Sequence, residues 1–93
     1  MELEFSEAAL ADLLEIMTYI AEDNPTAAAM VSSTIHRQIA MLAEQPGIGR
    51  PGRMRGTKEL VLAGLPYVVP YKVKRGVSVT ILRVMHTSRQ WPA

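Results

Sequence analysis

The chain has 93 residues, no cysteine and a formal net charge of +1. This length suits one domain built on one hydrophobic core, so we predict a single domain over residues 1–93. The absence of cysteine excludes disulfides, thiolate nucleophiles and thiolate metal sites. No apolar run approaches the roughly 20 residues of a membrane helix, and the first residues are acidic rather than signal-like. We therefore expect a cytoplasmic protein without a membrane partner.

The small net charge conceals a strong asymmetry between the two halves of the chain. Residues 1–45 contain eight acids and one base, Arg37, whereas residues 46–93 contain nine bases and one acid, Glu59. A basic half points to an anionic partner, either a nucleic acid or an acidic protein. The alternative is a solvated surface whose two halves attract each other.

The first residues predict a short strand followed by a helix. Apolar residues at positions 1, 3 and 5 alternate with glutamates, which is the period of a half-buried strand. Ser6 is then placed as the N-cap of a helix that ends at residues 23–25. The apolar residues that recur in it at three- and four-residue spacing are Leu10, Leu13, Leu14, Met17, Tyr19, Ile20 and Ala21. The acids that this spacing turns outward are Asp12, Glu15 and Glu22.

A second helix follows after a very short turn. Asn24 can cap it, and Pro25 can occupy its first position, where a missing N–H costs nothing. It ends before Pro46. Its apolar face is formed by Ala27, Val31, Ile35, Ile39 and Leu42. Two helices joined by so short a turn run antiparallel.

Three apolar runs joined by tight turns predict an antiparallel meander. They cover residues 59–62, 67–73 and 77–85, and their connections are too short for parallel crossovers. Pro70 cannot donate to the ladder of the middle strand, so it indicates a bulge or a position with no N–H partner. The fold class is therefore α+β, with a short N-terminal strand and an antiparallel helical hairpin packed on a three-stranded antiparallel meander.

Residues 46–56, between the second helix and the meander, are rich in glycine, proline and arginine and predict a loop. The four cations that fall within nine positions here are Arg50, Arg53, Arg55 and Lys58. The segment lacks the Gly-Lys-Ser/Thr ending of a nucleotide-binding loop. Its charges therefore suit a phosphate backbone better than a nucleotide pocket.

The end of the chain carries residue types that ribonuclease chemistry uses. Metal-independent RNA cleavage needs a base, an acid and cations that stabilise the transition-state charge. The candidate catalytic residues are Arg83, His86, Arg89 and Tyr71 or Tyr67. Arg83 and His86 are three positions apart, so a bulge or the end of the strand must bring them to one face. The alternative is that His86 and Trp91 fasten the tail to the core while the arginines are solvated.

No other chemistry is indicated by the pattern of residues. His36 has no second ligand at helical spacing, and no cluster of His, Asp and Glu has the spacing of metal ligands. No Gly-x-Ser-x-Gly motif occurs. We therefore expect neither a metal nor a small-molecule cofactor.

Four segments of the chain form a distinctive combination: DLLEIMTYIAEDNPTAAAMV, QPGIGRPGRMRGTKELVL, PYVVPYKV and VTILRVMHTSRQWP. Together they resemble the RelE/ParE superfamily, the toxins of bacterial type II toxin–antitoxin (plasmid stabilisation) modules. The resemblance implies a helical hairpin on a small antiparallel sheet and a cognate antitoxin that wraps and blocks the toxin. It also implies one of two targets, since RelE-like members cut messenger RNA in the ribosome and ParE-like members poison DNA gyrase.

One strand position separates the two targets. RelE-like ribonucleases commonly carry an arginine on the middle strand of the meander, where this chain has Val68. We therefore expect a ParE-like gyrase poison. The alternatives are a ribosome-dependent mRNA endonuclease and a harmless basic nucleic-acid-binding module. The residues expected to contact the target or the antitoxin are Arg50, Arg53, Arg55, Lys58, Arg83, Arg89 and Trp91.

Overall fold

The computed structural model describes residues 1–89 and Trp91. The first half of the chain contains strand β1 (Glu2–Phe5), helix α1 (Glu7–Asp23), helix α2 (Pro25–Ala40) and a 3₁₀ turn (Met41–Ala43). The remaining strands are β2 (Arg50–Pro51), β3 (Lys58–Val61), β4 (Tyr67–Lys74), β5 (Ser78–Ile81) and β6 (Met85–His86). All six strands form one sheet in the order β1-β5-β4-β3-β2, and β6 pairs with β4.

The predicted α+β fold is confirmed, since β3, β4 and β5 are antiparallel neighbours covered by the helical hairpin. Two edge strands extend this meander. At one edge β1 runs parallel to β5, and at the other β2 pairs with β3 inside the segment predicted to be a loop. The loop prediction was therefore wrong for Arg50 and Pro51. A proline is tolerated there because an edge strand need not donate outward.

Both predicted helix caps are confirmed. The hydroxyl of Ser6 accepts the N–H of Ala9 at 3.0 Å, and the side-chain oxygen of Asn24 accepts the N–H of Ala27 at 3.0 Å. Pro25 opens α2, where its missing N–H leaves no bond unmade. In the described part of the chain, no helix is long and apolar enough to cross a membrane.

The hydrophobic core lies between the hairpin and one face of the sheet. Its fully buried side chains include Ile35, Ile39, Leu42, Val69, Tyr71, Val79 and Ile81. Helix α1 contributes less than its apolar pattern predicts, because the exposed fractions of Leu10, Leu14 and Tyr19 are 53%, 69% and 75%. The apolar residues of α1 occupy a wider arc of the helix surface than the sheet and α2 together bury.

The predicted third strand is interrupted by a bulge. Residues 82–84 lie opposite only two residues of β4, 69–70, and the pairing register shifts by one between β5 and β6. Pro70 accounts for the position of the break. Its carbonyl accepts the N–H of Leu82 at 2.9 Å, but it has no N–H to return to the carbonyl of Leu82. That carbonyl instead accepts the hydroxyl of Ser6 at 2.8 Å.

Candidate functional site

The bulge and the residues after it form one wall of a cleft whose other wall is α1. We call it the tail cleft, and its volume is about 450 Å³. Helix α1 lines it with Asp12, Glu15, Ile16 and Tyr19. The sheet and the tail line it with Tyr67, Val84, Met85, His86, Ser88 and Arg89. The cleft therefore gathers Tyr67, His86 and Arg89, three of the candidate catalytic residues predicted from the sequence.

Arg83 is not among the residues that line this cleft, but it is held by Asp12, which lines it. Its Nε donates to Asp12 Oδ2 at 2.7 Å and its Nη2 donates to Oδ1 at 2.9 Å. The bulged backbone N–H of Val84 also donates to Oδ2, at 2.9 Å. Hydrogen bonding to Asp12 raises the pKa of Arg83, against the opposing effect of burial. The charge of Arg83 is thus matched within the fold, and the prediction that Asp12 points outward was wrong.

His86 lies at the other side of the tail cleft, in a defined hydrogen-bond arrangement. The backbone N–H of Ser88 donates to His86 Nδ1 at 3.1 Å, and the hydroxyl of Ser88 lies 2.8 Å from the same nitrogen. Because Nδ1 accepts from the backbone, the neutral ring carries its proton on Nε2. The ring of Tyr67 contacts that of His86 edge to face, with centroids 5.9 Å apart. In this tautomer Nε2 is a donor rather than a base.

Arg89 connects the tail to both halves of the molecule. Its Nη2 lies 3.7 Å from Glu15 Oε1 on α1, and both side chains are largely exposed. Its carbonyl accepts a hydrogen bond from Arg53 Nη1 at 3.4 Å. Trp91, the last described residue, is half-buried.

The predicted basic loop is organised by a buried acid. The carboxylate of Glu59, with 2% of its side chain exposed, accepts Arg50 Nη2 at 3.2 Å and the backbone N–H of Arg53 at 3.0 Å. The guanidinium of Arg53 lies 3.4 Å from the same carboxylate. Glu59 therefore neutralises one positive charge of the four-cation cluster inside the fold. Arg55 stays exposed in the turn between β2 and β3.

The structure separates Tyr71 from the other candidate catalytic residues. Its side chain is fully buried, and its hydroxyl donates to the carbonyl of Pro46 at 2.8 Å and accepts the N–H of Gly49 at 2.9 Å. Burial raises the pKa of Tyr71, while the hydrogen bond from Gly49 lowers it. Tyr71 anchors the loop, and Tyr67 is the tyrosine beside His86.

The middle strand supplies no cation to the tail cleft. Val68, which the family resemblance aligned with an arginine of RelE-like ribonucleases, is 1% exposed and pairs with Met85 of β6. Among the residues that the structure describes, no three His, Asp or Glu side chains are placed to hold a metal ion. The chemically active side chains that line the cleft are therefore Glu15, Tyr19, Tyr67, His86, Ser88 and Arg89, together with Asp12, whose carboxylate is occupied by Arg83.

Sequence reasoning missed the two carboxylates that organise the site. A signal existed for Glu59, because a lone acid among nine bases has many partners available. No such signal existed for Asp12, since its partner lies 71 positions away and depends on a bulge.

Comparisons with known proteins find similarity to toxins and to a toxin–antitoxin system. Residues 3–91 match the family model described as "ParE toxin of type II toxin-antitoxin system, parDE". The chain is 51% identical over 84 residues to "Putative toxin Y4kP" of Sinorhizobium fredii, covering 90% of this chain and 85% of that protein. It is 38% identical over 81 residues to "Toxin RelE2" of Caulobacter vibrioides, covering 87% and 89%. A solved structure of the chromosomal ParDE system from P. aeruginosa superposes with a TM-score of 0.81 at 31% identity, covering 92% of this chain and 95% of that one.

Proposed function

Because this chain belongs to the ParE toxin family of type II toxin–antitoxin systems, we propose that it arrests growth by poisoning DNA gyrase. Its family gives it a cognate antitoxin as partner. Gyrase acts in the cytoplasm, so the proposal includes action there.

The charge balance of the tail cleft carries this proposal. Asp12 neutralises the charge of Arg83 through two hydrogen bonds, and the Glu15 carboxylate lies 3.7 Å from the Arg89 guanidinium. The cleft therefore has no surplus of positive charge. A site for the RNA backbone needs such a surplus, because phosphate contacts from Lys and Arg supply most of the affinity. A protein surface suits a cleft with balanced charge and apolar walls better.

The missing strand cation supports the same target. Cleavage of RNA develops negative charge at the scissile phosphate, and loss of one donor to such a charge costs on the order of 3 kcal/mol. Val68 is buried and apolar at this position, and the guanidinium of Arg83 is occupied by Asp12. Arg89 would have to supply this stabilisation alone.

A ribosome-dependent mRNA endonuclease is the second candidate, and two observations favour it. His86, Tyr67, Ser88 and Arg89 share a single cleft. Three of these, Tyr67, His86 and Arg89, belong to the predicted catalytic set. A relative named "Toxin RelE2" is 38% identical to this chain.

Induction in cells separates the two candidates. A gyrase poison should produce filamentous cells and a DNA-damage response while messenger RNA stays intact, and His86→Ala should behave like the wild type. Codon-positioned cuts in messenger RNA that disappear in His86→Ala would instead establish the endonuclease. Normal growth together with salt-dependent oligonucleotide binding would indicate the harmless binding module.

A further inference from the structure

A second groove lies at the end of the sheet opposite the tail cleft. We call it the end groove; its volume is about 390 Å³, and Val73 near the end of β4 lines it. Tyr67, at the start of the same strand, lines the tail cleft. Six residues of strand at about 3.3 Å each separate the two sites by roughly 20 Å. The two sites are therefore separate on the surface and share no lining residue.

The end groove combines an apolar floor with a cationic rim. Met1, Pro46 and Val73 supply apolar atoms, and Lys58 and Arg75 supply the charges. None of the described residues that line it is an acid. Neither cation forms an ion pair within the part of the chain that the structure describes. Its chemistry matches an apolar side chain flanked by carboxylates.

One wall of the end groove is fixed before any partner binds. The hydroxyl of Tyr71, buried in the core, holds the carbonyl of Pro46 at 2.8 Å and the N–H of Gly49 at 2.9 Å. The N–H of Ile48 donates to the carbonyl of Gln45 at 3.3 Å within the same segment. A preformed wall lowers the entropy that a partner loses on binding.

We propose that the end groove binds an acidic segment of the cognate antitoxin that inserts an apolar side chain between Lys58 and Arg75. Charge complementarity selects this occupant, because the rim is cationic and the lining residues offer no carboxylate. The inference rests on membership of the toxin family and is independent of the target. Antitoxin binding at the end groove is then separable from action at the tail cleft.

Gly47 offers a way to block the end groove without disturbing the fold. Gly47 lines the groove and nothing lies within 4 Å of a Cβ built there, so Gly47→Phe adds a ring at the groove wall without a clash at its root. The protein is copurified with the product of the neighbouring antitoxin gene, separated in denaturant, refolded and titrated with that antitoxin. Gly47→Phe should weaken antitoxin binding about 30-fold, the scale of a blocked central contact. Arg75→Glu should weaken it about fivefold, with a smaller salt dependence, while Arg75→Lys binds as the wild type.

Toxicity supplies the second measurement. Cells expressing Gly47→Phe or Arg75→Glu alone should arrest as with the wild type, whereas co-expression of the antitoxin should no longer rescue them fully. Antitoxin affinity within twofold of wild type for both variants would overturn the proposal. A dimer of the free wild-type chain that Gly47→Phe dissolves, measured by analytical ultracentrifugation, would assign the groove to a second copy and also overturn it. Circular dichroism melting curves matching the wild type verify that both variants fold.

Discussion

Arg83 and Asp12 are joined across 71 positions of the chain by two hydrogen bonds of 2.7 and 2.9 Å between a guanidinium and a carboxylate. Such a bidentate pair fixes direction as well as distance. The same carboxylate accepts the bulged N–H of Val84, so a single side chain of α1 holds the backbone that begins the tail. The position of the tail cleft therefore depends on Asp12.

Replacement of Asp12 should destabilise the protein. Asp12→Ala leaves the Arg83 guanidinium and the Val84 N–H without their acceptor, which should lower the free energy of unfolding by about 2–3 kcal/mol in urea. The matched control is Glu15→Ala, which removes an exposed carboxylate 3.7 Å from Arg89. We expect a change within about 0.5 kcal/mol for that variant. Equal effects of the two substitutions would contradict the role assigned to Asp12.

Tyr71 should contribute stability that depends on pH. Burial raises its pKa above the ordinary value of 10.0. The unfolded chain therefore loses the phenolic proton at a lower pH than the folded chain does. The contribution is fully present below about pH 10 and is lost as the pH rises through the higher folded pKa. Between pH 8 and pH 11, the free energy of unfolding measured in urea should fall for the wild type. It should fall less for Tyr71→Phe.

Tyr71→Phe should also lower the stability of the protein at neutral pH. The substitution removes the bonds to the Pro46 carbonyl and the Gly49 N–H, which should cost about 1–2 kcal/mol of unfolding free energy. Hydrogen exchange of the Gly49 amide should also become faster in this variant. The control is Tyr19→Phe, because Tyr19 is 75% exposed and its loss of a hydroxyl should change stability little.

Two neighbouring glycines should respond oppositely to the same substitution. A Cβ at Gly49 would collide with the hydroxyl of Tyr71 and lie 2.9 Å from the carbonyl of Glu59, whereas a Cβ at Gly47 meets nothing within 4 Å. Gly49→Ala should therefore lower the melting temperature clearly, and overpacking of this kind costs about 1–3 kcal/mol. Gly47→Ala should leave it unchanged or raise it slightly. A similar melting temperature for both variants would contradict the close approach at Gly49.

Removal of Glu59 should loosen the basic loop. Glu59→Ala leaves the backbone N–H of Arg53 unpaired and frees the guanidinium groups of Arg50 and Arg53, at a cost of about 2 kcal/mol. Amide exchange in residues 50–57 should accelerate more than in the helices. Glu44→Ala, which removes an exposed acid, is the control. Unchanged exchange in the loop would show that β2 pairing alone orders it.

The parts of the fold that local patterns determine were predictable from the sequence. Caps at Ser6 and Asn24, the turn into α2 and the three main strands depend on neighbouring residues, and all were identified. The parallel pairing of β1 with β5 joins residues more than 70 positions apart, so periodicity did not reveal it.

The arrangement of the candidate site was less predictable because it depends on the bulge. Pro70 indicated a break in the hydrogen-bond ladder. Which residue lies opposite Pro70, and in which direction the register shifts, follow from how β5 and β6 pair with β4. Only that shift brings Val84 and Arg83 to Asp12 and leaves His86 beside Tyr67. Residue types alone favoured Tyr71 equally, although the core holds it away from the tail cleft.

The proposed gyrase target is tested most directly by a supercoiling assay with purified gyrase, relaxed plasmid and ATP. The wild-type chain and His86→Ala should both inhibit supercoiling, and a stoichiometric amount of the cognate antitoxin should restore it. The charge balance of the tail cleft predicts this outcome, since it favours a protein surface over RNA. Full supercoiling in the presence of excess toxin, with codon-positioned cuts in ribosome-bound messenger RNA that His86→Ala abolishes, would contradict it.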